Sequence, residues 1–149
     1  MRVATQFSVF LVDKPGVLVQ VTDKLAQAKV NISALTLMDS VEHGVFRFVC
    51  DDAERARAAL RALNIPMTES EVLMVELPNR PGAMADLCSK FGGEHISIKY
   101  AYLTAGAPGG RTLGVFKVSD VKRALKVAES RAAKKRSDMS IRRPRALRN

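Results

Sequence analysis

Two short apolar runs, QFSVFLV at residues 6–12 and EVLMVEL at 71–77, are rich in β-branched and aromatic residues and read as strands. Each is followed by apolar positions at helical spacing. In the first, Leu18, Val21, Leu25 and Ala28 step by three, four and three; in the second, Met84, Leu87 and Phe91 step by three and four. NISALTLM (31–38) and HISIKYAYL (95–103) then read as second strands. Short loops containing His43-Gly44 and Gly106–Gly110 lead into third strands, VFRFVC and TLGVFKV, antiparallel to the second. Asp52 and Asp120 stand where an N-cap would accept backbone N–H bonds of a further helix. Asn64-Ile65-Pro66 suggests a short fourth strand leading towards residue 71. After Asp120 the helical pattern runs through Val121, Leu125 and Ala128, and a brief strand at Met139–Ile141 is the only candidate beyond it.

The two halves are copies of one unit. At an offset of 66, Val9 meets Val75, Leu11 meets Leu77, Pro15 meets Pro81, Gly16 meets Gly82, Lys24 meets Lys90 and Ile32 meets Ile98. At an offset of 68, Phe48 meets Phe116, Asp52 meets Asp120 and Ala56 meets Ala124. The order β-α-β-β-α-β predicts an α+β fold, two tandem ferredoxin-like units with antiparallel sheets. The expected boundaries are 1–69 for the first unit, 70–130 for the second and 131–149 for a basic C-terminal extension.

Charge sharpens that division. Residues 1–65 and 66–130 each carry eight Lys/Arg against seven Asp/Glu, whereas 131–149 carry eight against one. The net charge of +9 is therefore mostly a property of the tail, and the globular part has no obvious phosphate-binding field. No apolar run reaches the ~18–20 residues of a membrane span. The N-terminal run is cut by Asp13 and lacks the form of a secretory signal, so a cytoplasmic protein is expected. Two cysteines, Cys50 and Cys88, and two histidines, His43 and His95, show no metal-ligand spacing; two buried thiols and no metal or cofactor are expected.

The candidate chemistry lies in DKPGVL (13–18) and NRPGAM (79–84), where strand passes to helix. Proline suits the first turn of a helix, and glycine can take positive φ or admit another backbone. The first N–H groups of the helix are unpaired and carry the positive end of its dipole, a setting that holds a carboxylate well. By physics alone each loop is either a tight turn or an anion cradle.

The runs DKPGVLVQVTDKLAQAKVNI (13–32) and NRPGAMADLCSKFGGEHISI (79–98) resemble the ACT domain, and the resemblance covers residues 5 to about 130. In the second run His95 and Ser97 depart from the usual Gly and Asn. The resemblance implies the βαββαβ fold, side-by-side pairing of sheets, and a regulatory ligand, usually an amino acid, held at the interface. Carried over by position, the ligand contacts are Asp13, Lys14, Pro15, Gly16, Val17 and Leu18 with Asn31 and Ile32. In the second copy they are Asn79, Arg80, Pro81, Gly82, Ala83 and Met84. Asp13 or Asn79 would accept from an amino group, and main-chain N–H groups near Gly16 or Gly82 would hold a carboxylate.

Other signals are weaker. AGAPGGR (105–111) lacks the Lys-Ser/Thr of a P-loop and reads as a hairpin loop. Tyr100 and Tyr102 share one strand face and suit a sheet or domain interface, or the wall of a ligand pocket. No nucleophile–base pairing motif is present, so a non-catalytic protein is expected. The reading that fits best is a stand-alone amino-acid sensor acting as a homodimer on an enzyme or regulator. The alternatives are a regulatory subunit of a biosynthetic enzyme, similar to the small subunit of acetolactate synthase, and a nucleic-acid-binding regulator working through Arg142, Arg143 and Arg145.

Overall fold

A computed structural model describes residues 1–38, 43–107 and 110–127. The first unit comprises β1 (Arg2–Val12), α1 (Val17–Gln27), β2 (Ile32–Met38), β3 (His43–Cys50) and α2 (Ala53–Ala62). Then come β4 (Met67–Pro78), α3 (Ala83–Gly93), β5 (Ile98–Ala107), β6 (Arg111–Val118) and a helical segment at 121–127. Asp52 caps α2 as expected, its Oδ1 accepting from the Arg55 N–H at 3.0 Å; Asp120 accepts from the Arg123 N–H at 2.9 Å.

All strands join one antiparallel sheet in the order β2-β3-β1-β4-β6-β5. β4 serves both copies. Its first half pairs with β1 as the fourth strand of the first unit, and its second half pairs with β6 as the first strand of the second. The boundary expected at 69/70 falls inside this strand. β1 in turn stands beside β4 where the second unit's own fourth strand would lie. Met139–Ile141, like all of the basic extension at 131–149, lie outside the described residues.

The repeat holds down to register. Thr5 faces Glu71, 66 positions on, so a local two-fold passes through that pair. Phe7–Phe48 in the first copy becomes Leu73–Phe116 in the second. Even the bulge recurs, between Ile32 and Ala34 and again between Ile98 and Tyr100.

One face of the sheet carries the helices. Phe7, Val9 and Leu11 of β1 and Phe46 and Phe48 of β3 pack there against Val21 and Leu25 of α1 and Leu60 of α2. Leu73, Val75, Phe116, Leu87 and Phe91 repeat the arrangement. Stacked rings, Phe7–Phe48 at 5.3 Å and Phe46–Phe48 at 5.2 Å, fill the first core; an edge-on pair, Phe91–Phe116 at 6.4 Å, fills the second.

The opposite face is also buried. Ala34, Val49, Val72, Met74 and Val115 form a third cluster made of strands alone. The sheet curls until its two outermost strands, β2 and β5, come into contact across that face. Fully buried Gln6 sits there. Its Nε2 donates to Tyr100 Oη (2.6 Å) and Ser8 Oγ (3.3 Å), and Tyr102 Oη donates to its Oε1 (3.0 Å). The Arg47 guanidinium lies over the Tyr100 ring at 4.7 Å. Burial holds the Tyr102 phenol well above its ordinary range. The two tyrosines expected at an interface therefore join the two copies to each other.

Two expectations are corrected. His43 and Gly44 belong to β3, because the β1 ladder extends to the Val12–His43 pair. Only one thiol is buried: Cys50 is, Cys88 on α3 is exposed.

Candidate functional site

Both Pro-Gly loops are built alike. Gly16 (φ 88°) and Gly82 (φ 83°) adopt the left-handed conformation and cap α1 and α3 without a side-chain hydrogen bond. Each glycine carbonyl accepts the first helical bond, from Gln20 N–H at 3.1 Å and from Asp86 N–H at 2.9 Å. A Cβ on Gly16 would meet nothing of the chain within 4 Å, so within the chain glycine is needed there for its backbone angle.

At the first loop lies a cavity of about 300 Å³. Leu11, Val12, Asp13 and Lys14 form its floor, Val17 and Leu18 at the start of α1 form one wall, and Leu37, Met38 and Gly44 form the other. The Asp13 carboxylate and the Lys14 ammonium have no hydrogen-bond or ion-pair partner among the described residues. The helix N-terminus beside them offers main-chain N–H groups and the positive end of its dipole. The cavity thus brings together a carboxylate, the N-terminus of α1, where Val17 N–H donates to the Lys14 carbonyl at 3.4 Å, and an apolar wall.

Four of the eight residues expected at this site, Asp13, Lys14, Val17 and Leu18, line the cavity, and Pro15 and Gly16 make the turn that shapes it. Asn31 and Ile32 stand elsewhere. They begin β2 at the opposite end of the sheet, where Asn31 N–H donates to Asp51 Oδ1 (2.9 Å) and its C=O accepts from Asp51 N–H (3.1 Å). It is the other end of β2, at Leu37 and Met38, that reaches the loop. The β2–β3 hairpin returns the chain to the top of β1, so strand direction was the signal that points to Leu37, Met38 and Gly44.

The second loop is closed on itself. Arg80 Nη2 pairs with Asp86 at 2.7 Å, and its Nη1 donates to the Pro81 carbonyl at 3.1 Å. Asn79 N–H donates to the Gly110 carbonyl at 3.0 Å. Pro81 and Gly82 form the turn, and Met84 packs against the second core. Arg80 and Ala83 line a different cavity, of about 290 Å³, on the helix-covered face. The first copy cannot form this clasp, since Lys14 and Gln20 stand where Arg80 and Asp86 do.

Among the described residues no cluster of His, Cys, Asp or Glu could hold a metal ion, and no helix is long and apolar enough to cross a membrane. Residues 1–136 match the profile of the ACT domain pair, and the chain belongs to the ACT domain family. Protein BT0572 from Bacteroides thetaiotaomicron is similar over 87% of this chain and 89% of its own, at 29% identity with a TM-score of 0.81. The ligand-free regulatory subunit of aspartate kinase from Thermus thermophilus shares the fold over 87% and 97% (TM-score 0.61, 15% identity). That of Thermus flavus does so over 86% and 91% (TM-score 0.58, 15% identity). No curated protein matches the sequence.

Proposed function

We propose that this protein is a non-catalytic regulatory sensor that binds a free amino acid in the cavity at the first Pro-Gly loop. The observation that carries this reading is the unpartnered Asp13 carboxylate facing the start of α1 across an apolar-walled cavity. Asp13 accepts from the ligand's ammonium group, the main-chain N–H of Leu18 at the start of α1 holds its carboxylate, and Leu37 and Met38 meet its side chain. The clasped second loop does not bind. The units, 1–69 and 70–130, act as one body in the cytoplasm, as a homodimer that a partner enzyme or regulator reads.

Pairing of two chains gives Asn31 and Ile32 a place in this scheme. β2 ends the strand order and leaves Leu35, Leu37 and Met38 about half exposed. Two β2 strands laid antiparallel bring the Asn31 end of one chain to the Met38 end of the other, next to its cavity.

A thermal-shift screen against the twenty amino acids tests the reading. A ligand at about a hundred times its Kd adds about 2.7 kcal/mol, and each kcal/mol is worth roughly 2–4 °C in a chain of this size. One amino acid or a few related ones should raise the Tm, and Asp13→Ala should abolish the rise while leaving the ligand-free Tm unchanged. A flat screen at high concentration contradicts the reading.

A further inference from the structure

One side chain joins the cavity at the first loop to the buried tyrosines. Arg47 lies on β3 between Ser8 of β1 and Thr36 of β2, on the face away from the helices. Its Nη1 donates to Met38 Sδ at 2.8 Å, and its guanidinium carbon stands 4.7 Å from the centre of the Tyr100 ring. Met38 walls the cavity. Tyr100 belongs to β5, the strand at the other end of the order, and its Oη accepts from buried Gln6. A line of direct contacts, Met38–Arg47–Tyr100–Gln6, therefore runs from the cavity wall into the closure between the two copies.

Arginine suits this position as lysine does not. A planar guanidinium stacks its face on a ring while an in-plane N–H reaches a neighbour, and a compact ammonium cannot do both. No carboxylate pairs with Arg47 among the described residues, so a thioether and a ring are what hold it. A thioether is a weak acceptor, and the hold on Arg47 follows its position. The Met38 side chain is about half exposed and open to being covered by a bound molecule. The second copy has no such link. Thr104 and Val115 stand where Met38 and Arg47 do in the first, and Val115 is fully buried. The link belongs to the copy whose loop is unclasped.

We propose that Arg47 is a positioning residue that transmits occupancy of the first cavity to the second copy. The proposal rests on the amino-acid reading of that cavity. A ligand side chain packed on Met38 fixes the thioether where it accepts from Arg47. That holds the guanidinium over Tyr100 and favours the arrangement in which β2 and β5 touch. A ligand shifts two arrangements only through unequal affinity for them, so the closed one binds it more tightly. By reciprocity, cutting the link weakens ligand binding by the factor by which the ligand strengthens the link.

Tyr100 and Tyr102 are the only tyrosines and the chain has no tryptophan, so its intrinsic emission reports on this closure. Met38→Leu in the ligand-free protein removes the sulfur acceptor; it should change tyrosine emission, and should change nothing in an Arg47→Lys background. When the amino acid selected by the thermal screen is added, wild-type emission should change saturably, with the midpoint of a calorimetric titration. Arg47→Lys should bind severalfold more weakly and without the emission change, while still melting cooperatively. An emission change retained in Arg47→Lys, or ligand-free emission indifferent to Met38→Leu, overturns the proposal. A Met38→Leu effect that requires Arg47, in a protein that no amino acid stabilises, upholds the link and contradicts the amino-acid reading instead.

Discussion

Arg80 and Asp13 occupy neighbouring positions of equivalent loops, and they set the two copies on different courses. Arg80 finds Asp86 six residues on and closes its loop; Asp13 has no partner among the described residues and lines a cavity. The clasp can be transplanted. Lys14→Arg combined with Gln20→Asp should recreate it in the first copy and weaken amino-acid binding, with little change in Tm because exposed ion pairs contribute only about 0–1 kcal/mol; calorimetric titration and thermal melting separate the two effects. Gly114 is constrained differently. A Cβ there would lie 2.5 Å from the ring of fully buried Phe116. Gly114→Ala should therefore destabilise by roughly 1–3 kcal/mol through overpacking, measured by urea denaturation. Tyr102 carries a pH signature. Its folded pKa is raised by burial, so its contribution is complete below the unfolded value near 10 and is lost as pH rises through the folded one. The Tm should fall above about pH 10, and less steeply in Tyr102→Phe.

Elements were legible where side chains alternate and obscure where only the backbone pairs. Residues 6–12 and 71–77 stood out because every second side chain meets a helix. β1 nevertheless begins at Arg2 and β4 at Met67. Their added residues, RVAT and MTES, are exposed or half-buried, so no apolar pattern marks them; RVAT pairs with Glu71–Met74 and MTES with Gln6–Val9 across the local two-fold. Caps were legible because Asp before a helical run has one common use there. Asp52→Ala should cost about 1 kcal/mol, read as a lower denaturation midpoint with an unchanged slope. The turn role of Gly16 was open in the sequence, since positive φ and close approach both call for glycine. Its φ of 88° accounts for the backbone use, and no other part of the chain comes close to it.

At the scale of the molecule, the sharing of β4 and the curl of the sheet make one body of two copies. Neither was visible in the sequence. Gln6 reads as an ordinary polar strand residue, yet it is fully buried, and its partners Tyr100 and Tyr102 lie 94 and 96 positions away. Gln6→Leu leaves two phenols without their partner and should cost about 1–3 kcal/mol; Tyr102→Phe in the same chain should recover part of that loss. The site was half legible for the same reason. Motif residues 13–18 belong to one loop, whereas Leu37, Met38 and Gly44 reach it only through the path of the hairpin. The most direct test of the central claim follows backbone amide shifts of the two loops by NMR as the amino acid selected by the thermal screen is added. The account predicts saturable movement at residues 13–18 and at Leu37 and Met38, with residues 79–84 still. Equal movement at both loops, or movement at 79–84 alone, would contradict it.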